Sequence, residues 1–100
     1  MAHTVFVWLK ADTSQEDELA FIQGMKKLGE VPSLQAYYWG KAAATEKRAV
    51  IDDSYHYAIN CFFKSVSDHD EYQVHPLHLE FIENHKHIWE KVLVYDNEMK

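Results

Sequence analysis

Three stretches of this chain are apolar on both faces of an extended strand, and no other feature restricts its folds so tightly. In His3–Lys10, Val5, Val7 and Leu9 point one way, while Phe6 and Trp8 point the other. In Tyr55–Lys64, Tyr57, Ile59 and Cys61 oppose Ala58 and Phe62. In the last stretch, Val92 and Val94 oppose Leu93 and Tyr95. A sheet with one face in water alternates apolar with polar residues instead. Both faces of this sheet therefore need a cover. Helices of a 100-residue chain supply one cover, and a second copy of the same sheet is the simplest source of the other. The expectation is a homodimer through the sheet face that carries Phe6, Trp8, Ala58, Phe62, Leu93 and Tyr95.

Between the strands the period changes. Asp12-Thr13-Ser14 precedes an acidic first turn, with Thr13 and Glu16 spaced as a capping box. Leu19, Phe21, Ile22, Met25 and Leu28 then gather near one face at a helical period, and Gly29 supplies a stop. A second strand is expected from about Leu34 to Lys41, followed by a polar loop over residues 42–53. Ser65 to Tyr72 reads as a short helical turn. Pro76 fits the first position of a helix running through Phe81, Ile82, Ile88 and Trp89. A last strand, Val92 to Tyr95, is closed by Asp96. The order β-α-β-β-α-β is the ferredoxin-like α+β pattern, with a four-stranded antiparallel sheet, in a single domain over residues 1–100.

Charge narrows the partners. The net charge is −6, and a nucleic-acid surface needs clustered Lys and Arg that this chain lacks. No apolar run approaches the length of a membrane span. No basic segment followed by an apolar one opens the chain, so a secretory leader is not expected. Cys61 is the single cysteine and sits in an apolar run, which suits a buried, unreactive thiol in a reducing compartment. The expected location is the cytoplasm, with no nucleic-acid or membrane partner.

Chemistry concentrates in one place. The chain has seven histidines, and the dense segment is Tyr72-Gln73-Val74-His75-Pro76-Leu77-His78. An imidazole exchanges a proton near neutral pH. A tyrosine hydroxyl beside it can donate to an oxygen that gains negative charge. At the mouth of an apolar pocket, the two suit proton abstraction from a carbon next to a carbonyl. The plainer alternative is architectural: His75 caps the helix that Pro76 starts, and Tyr72 and His78 pack. His75, His78, His85 and His87 show none of the spacings of a zinc motif, so no metal site is expected. The Tyr37–Lys41 aromatics read as core packing. The acids Glu16, Asp17 and Glu18 read as a helix start, and Asp52 and Asp53 as part of a polar loop.

His3–Lys10, Val31-Pro32, Tyr38-Trp39-Gly40-Lys41, Phe63-Lys64-Ser65-Val66, Tyr72-x-x-His75-Pro76-x-His78 and Trp89-Glu90-Lys91-x-Leu93-x-x-Asp96 resemble the stress-responsive A/B barrel (Dabb) family. The resemblance spans nearly the whole chain, and Tyr-x-x-His-Pro-x-His is its most specific part. It implies a dimer in which two sheets close one barrel. Among family members, plant polyketide cyclases are similar from Tyr38 to Asp96. That likeness implies Tyr72 as hydrogen-bond partner, His78 as general base, His3 as the histidine opening the first strand, and no cofactor. A pocket tyrosine of those cyclases falls at Gly24 here, and a pocket histidine at Tyr57. His56 lies one place away and so faces the other side of the sheet. The expected pocket has walls of Val5, Val7, Phe21, Tyr57, Ile59 and Val92, with His3, Tyr72 and His78 as its polar groups. It would take a small apolar carbonyl or phenolic compound, with cofactor-free acid–base chemistry of a cyclase or isomerase kind. The alternatives are a non-catalytic dimeric stress or interaction protein, and a cofactor-free oxygenase-like protein on the same scaffold.

Overall fold

The structure is a computed structural model that describes residues 1–100. β1 (Ala2–Leu9) is followed by α1 (Gln15–Leu28), β2 (Ala36–Gly40), β3 (Tyr57–Phe62), α2 (Val66–Val74) and α3 (Pro76–His85). A 3-10 turn (Lys86–Ile88) leads into β4 (Trp89–Asn97). The four strands form one antiparallel sheet in the order β2-β3-β1-β4. This is the ferredoxin-like α+β arrangement that the alternating segments dictate.

Register decides which side chains share a face. Val5 lies opposite Ile59 on β3 and opposite Val94 on β4, and Val7 lies opposite Tyr57 and Val92. These residues, with His3 and Cys61, face the helices. Phe21, Met25 and Leu28 of α1 complete the core from above, together with Tyr72, Phe81 and Ile88. The opposite face carries Phe6, Trp8, Phe62, Leu93 and Tyr95. Its cover within the chain is partial: Tyr55, from the loop before β3, packs its ring against Phe6 and Trp8. Tyr95 on this face is 61% exposed. No helix is long and apolar enough to cross a membrane.

Several elements differ from expectation for identifiable reasons. Ser14, not Thr13, caps α1: its Oγ accepts from the Asp17 backbone N–H, while the Thr13 hydroxyl donates to the Lys10 carbonyl. Leu19 lies on the outer side of α1, 54% exposed, because two residues before Phe21 is about 200° around a helix. The segment after Ser65 is a full helix rather than a turn. α3 stops at His85, and β4 begins at Trp89 instead of Val92. Gly29 ends α1 with ordinary right-handed dihedrals. Its missing side chain matters for space, since a Cβ there would lie 2.6 Å from the Tyr37 ring.

Candidate functional site

The helices leave a gap over β4. Val92 and Val94 face the helix layer yet remain 41% and 44% exposed. A cavity of about 230 Å³ fills this gap. The sheet contributes His3, Val5, Val7, Ile59, Trp89, Val92 and Val94 to its lining. Leu28 comes from α1, Tyr72 and Gln73 from α2, and His78, Phe81 and Ile82 from α3. His3, Val5, Val7, Ile59, Tyr72, His78 and Val92 all line this one cavity. Phe21 and Tyr57 do not line it. Phe21 is fully buried behind Phe81 and Trp89, with ring centroids 5.7 and 6.0 Å away. Tyr57 packs edge-on to Phe21, and its hydroxyl donates to Glu18 Oε2 at 2.5 Å. Together they plug the neighbouring part of the layer. The space beside Gly24 is taken by His85: a Cβ on Gly24 would lie 2.3 Å from His85 Nε2.

The join between α2 and α3 positions the polar groups. His75 caps α3 by accepting from the Leu77 backbone N–H at 3.1 Å, and Pro76 occupies the first turn. His78 follows within that turn, and its Nδ1 lies 3.0 Å from the Gln73 carbonyl. A carbonyl only accepts, so Nδ1 carries the proton and Nε2 keeps its lone pair. Burial draws the His78 pKa below its ordinary value. The Gln73 carbonyl opposes this in part, and the neighbouring His3 and His69 reinforce it. His78 is therefore a neutral imidazole at pH 7, and its ring lies 4.5 Å from that of Tyr72.

Tyr72 is 2% exposed, and burial, then Cys61 and Tyr37 nearby, push its pKa well up. Its hydroxyl receives a weak contact from the Cys61 thiol at 3.8 Å. Burial pushes that thiol up to about 12, so it stays protonated. The Tyr72 proton thus meets no strong acceptor within the chain. On β1, His3 Nδ1 lies 2.5 Å from Asp96 Oδ1, its register partner on β4. Burial lowers the His3 pKa, and the bond to Asp96 raises it in part.

Sequence reasoning missed Leu28, Gln73, Phe81, Ile82, Trp89 and Val94 as cavity walls, and it missed His69 beside His3. The even-numbered alternation on β4 pointed to Val94. Nothing in the spacing pointed to His69, whose ring centroid lies 4.8 Å from that of His3 across 66 positions of sequence.

Comparison with known proteins places this chain in a family. The profile of the stress-responsive A/B barrel domain matches residues 1–99. The chain belongs to that family. Olivetolic acid cyclase of Cannabis sativa is 24% identical over 95 residues, which cover 94% of this chain and 91% of that protein. Hydroxynitrile lyase from Passiflora edulis superposes with a TM-score of 0.77 at 28% identity, covering 99% of this chain and 94% of its own. A dimeric ferredoxin-like protein from Thermobifida fusca superposes with a TM-score of 0.76 at 16% identity, covering 94% of this Dabb chain and 85% of its own. The last likeness speaks to the fold alone.

Proposed function

We propose that this Dabb chain binds a small carbonyl or phenolic compound in the β4-side cavity and performs cofactor-free acid–base chemistry on it as a homodimer. The observation that carries the reading is the Tyr72–His78 pair in an apolar wall. His78 Nδ1 is committed to the Gln73 carbonyl and its Nε2 is left as a base. In such a site His78 Nε2 takes a proton from a carbon next to a carbonyl. The electron pair moves onto the carbonyl oxygen, and the Tyr72 hydroxyl donates to that oxygen. A cavity of about 230 Å³ is smaller than the ~300 Å³ of the smallest drug-sized sites. The reading is therefore a compound of roughly one ring. Two relatives carry enzyme names, a cyclase and a lyase, which supports a catalytic role for the scaffold. The dimer reading rests on the incompletely covered aromatic face, with Phe6, Trp8, Ala58, Phe62, Leu93 and Tyr95 as its contact residues. A relative of the same fold is described as dimeric.

Hydrogen–deuterium exchange tests the reaction without knowledge of the natural substrate. Small aryl ketones in deuterated buffer should lose their α-proton NMR signals faster with the protein than without it. His78→Ala should slow this exchange by ~100-fold or more, the usual share of a general base. Equal rates for both proteins would remove His78 from the reaction. The non-catalytic reading draws on the backbone bond that His78 already makes. It gains if aryl ketones raise the melting temperature of both proteins equally while exchange stays at the buffer rate.

A further inference from the structure

We propose that His3, His69 and Asp96 form a binding site for a divalent transition metal, of which Zn²⁺ fits the donor set best. The three residues come from β1, α2 and β4. Each offers one donor atom, and these atoms lie within 4.8 Å of one another. Two imidazoles and a carboxylate are ordinary zinc ligands, and three protein donors with an open fourth position mark sites where the metal stays accessible.

The His69 ring supplies an independent observation. Its Nδ1 lies 3.1 Å from Asp70 Oδ1, so Nδ1 carries the proton and donates to that carboxylate. Nε2 is then an acceptor, and it is buried without a partner. Buried polar atoms are bonded in the great majority of cases, so a buried lone pair facing no donor calls for one or for a cation. A carboxylate on the far nitrogen is also the arrangement that holds metal-bound histidines in place. On the other side, His3 and Asp96 are register partners already in contact at 2.5 Å. A metal ion would take the place of the proton between them, and that proton leaves to solvent.

Zinc bonds of ~2.0–2.2 Å put neighbouring donors ~3.3 Å apart, so the widest gap must close by more than ~1 Å. His3, 5% exposed at its side chain, is the fixed point, while Asp96, 44% exposed, has room to rotate. A shallow groove bounded by His69, Asp70, Asp96 and Glu98 opens the site to solvent. Its three carboxylates favour an approaching cation.

The test is titration of the chelator-stripped protein with Zn²⁺, in competition with a chromophoric chelator. Wild-type chain should bind one ion per chain. His69→Ala and Asp96→Ala should each weaken that binding roughly tenfold or more, at least the cost of losing an outer-shell partner. His87→Ala removes an exposed histidine paired to Asp17, and should leave it unchanged. Co²⁺ should give the intense visible bands of a four-coordinate site in wild type and lose them in both ligand variants. Absence of saturable binding, or equal affinity in wild type and both variants, overturns the site. Circular dichroism checks that each variant folds. If His69→Ala does not, Asp96→Ala, at a half-exposed position, decides alone. These readouts involve no carbonyl ligand, so their outcome is separate from that of the proton-exchange experiment.

Discussion

The two faces of the sheet are built from alternate residues of the same strands, and both are apolar, yet their margins differ. On the helix side, Val5, Val92 and Val94 floor a cavity whose lining includes His3, Tyr72 and His78. On the other side, Phe6, Trp8, Tyr55, Leu93 and Tyr95 enclose a dip of about 120 Å³ with Asp52 at its edge and no histidine. Apolar exposure is common to both and does not by itself mark chemistry. What separates the faces is a neutral imidazole with a free lone pair, held by a backbone carbonyl against an apolar wall. The helix face is read as the site of chemistry, and the open face as the site of assembly.

The strongest way to break that division is to charge the open face. Phe6→Lys combined with Leu93→Lys places two ammonium groups at paired positions in its centre. A charge buried in an interface costs several kcal/mol. Sedimentation should show wild type as a dimer and the double variant as a monomer, and a double variant that remains dimeric would mean that assembly uses another surface. A smaller effect sharpens the account of the helix face. Gly24→Ala should gain ~1 kcal/mol of helix propensity, but its Cβ would collide with the His85 ring, which is wedged between Phe21 and Phe81. Overpacking of this kind costs ~1–3 kcal/mol, so urea unfolding should show a net loss of up to ~2 kcal/mol. In a His85→Ala background the same substitution should become stabilising. No coupling between the two positions would show that His85 does not fill that space.

The smallest effect is on pH. His3, His78 and His85 all have pKa values lowered by burial. The unfolded chain therefore binds more protons than the folded one once pH falls below about 6.5, the ordinary histidine value. Stability from these groups is complete above that pH and is lost as pH falls toward their folded values. Urea midpoints should fall on acidification from neutral pH, and His78→Gln should reduce the slope. A flat profile in this range would contradict the buried, neutral histidines.

The strand pattern made most of this fold legible. Alternation grouped Val5, Val7, Ile59 and Val92 on one face of β1, β3 and β4, and these line one cavity, whereas His3, Tyr72 and His78, which line it too, were suggested by the family resemblance. Helix placement was less legible. Phe21 satisfies the apolar pattern of α1 as well as any cavity residue, and only the packing of Phe81 and Trp89 in front of it removes it from the site. Tyr57 shares a face with Val7 and Val92, but its hydroxyl is drawn to Glu18. The end of α3 was hidden because Ile88 and Trp89 continue an apolar pattern that either a helix or a strand could use. His3, His69 and Asp96 converge only through the pairing of β1 with β4 and the position of α2, so no spacing rule could join them.

The central claim is that His78 presents an unprotonated Nε2 to the cavity. Long-range ¹H–¹⁵N correlation of the histidine rings at neutral pH measures this directly. His78 should appear as the Nδ1–H tautomer, and its Nε2 resonance should move when 4-hydroxybenzaldehyde saturates the protein, while that of the exposed His87 stays in place. An Nε2–H tautomer, or an Nε2 resonance indifferent to the added aldehyde, would contradict the account.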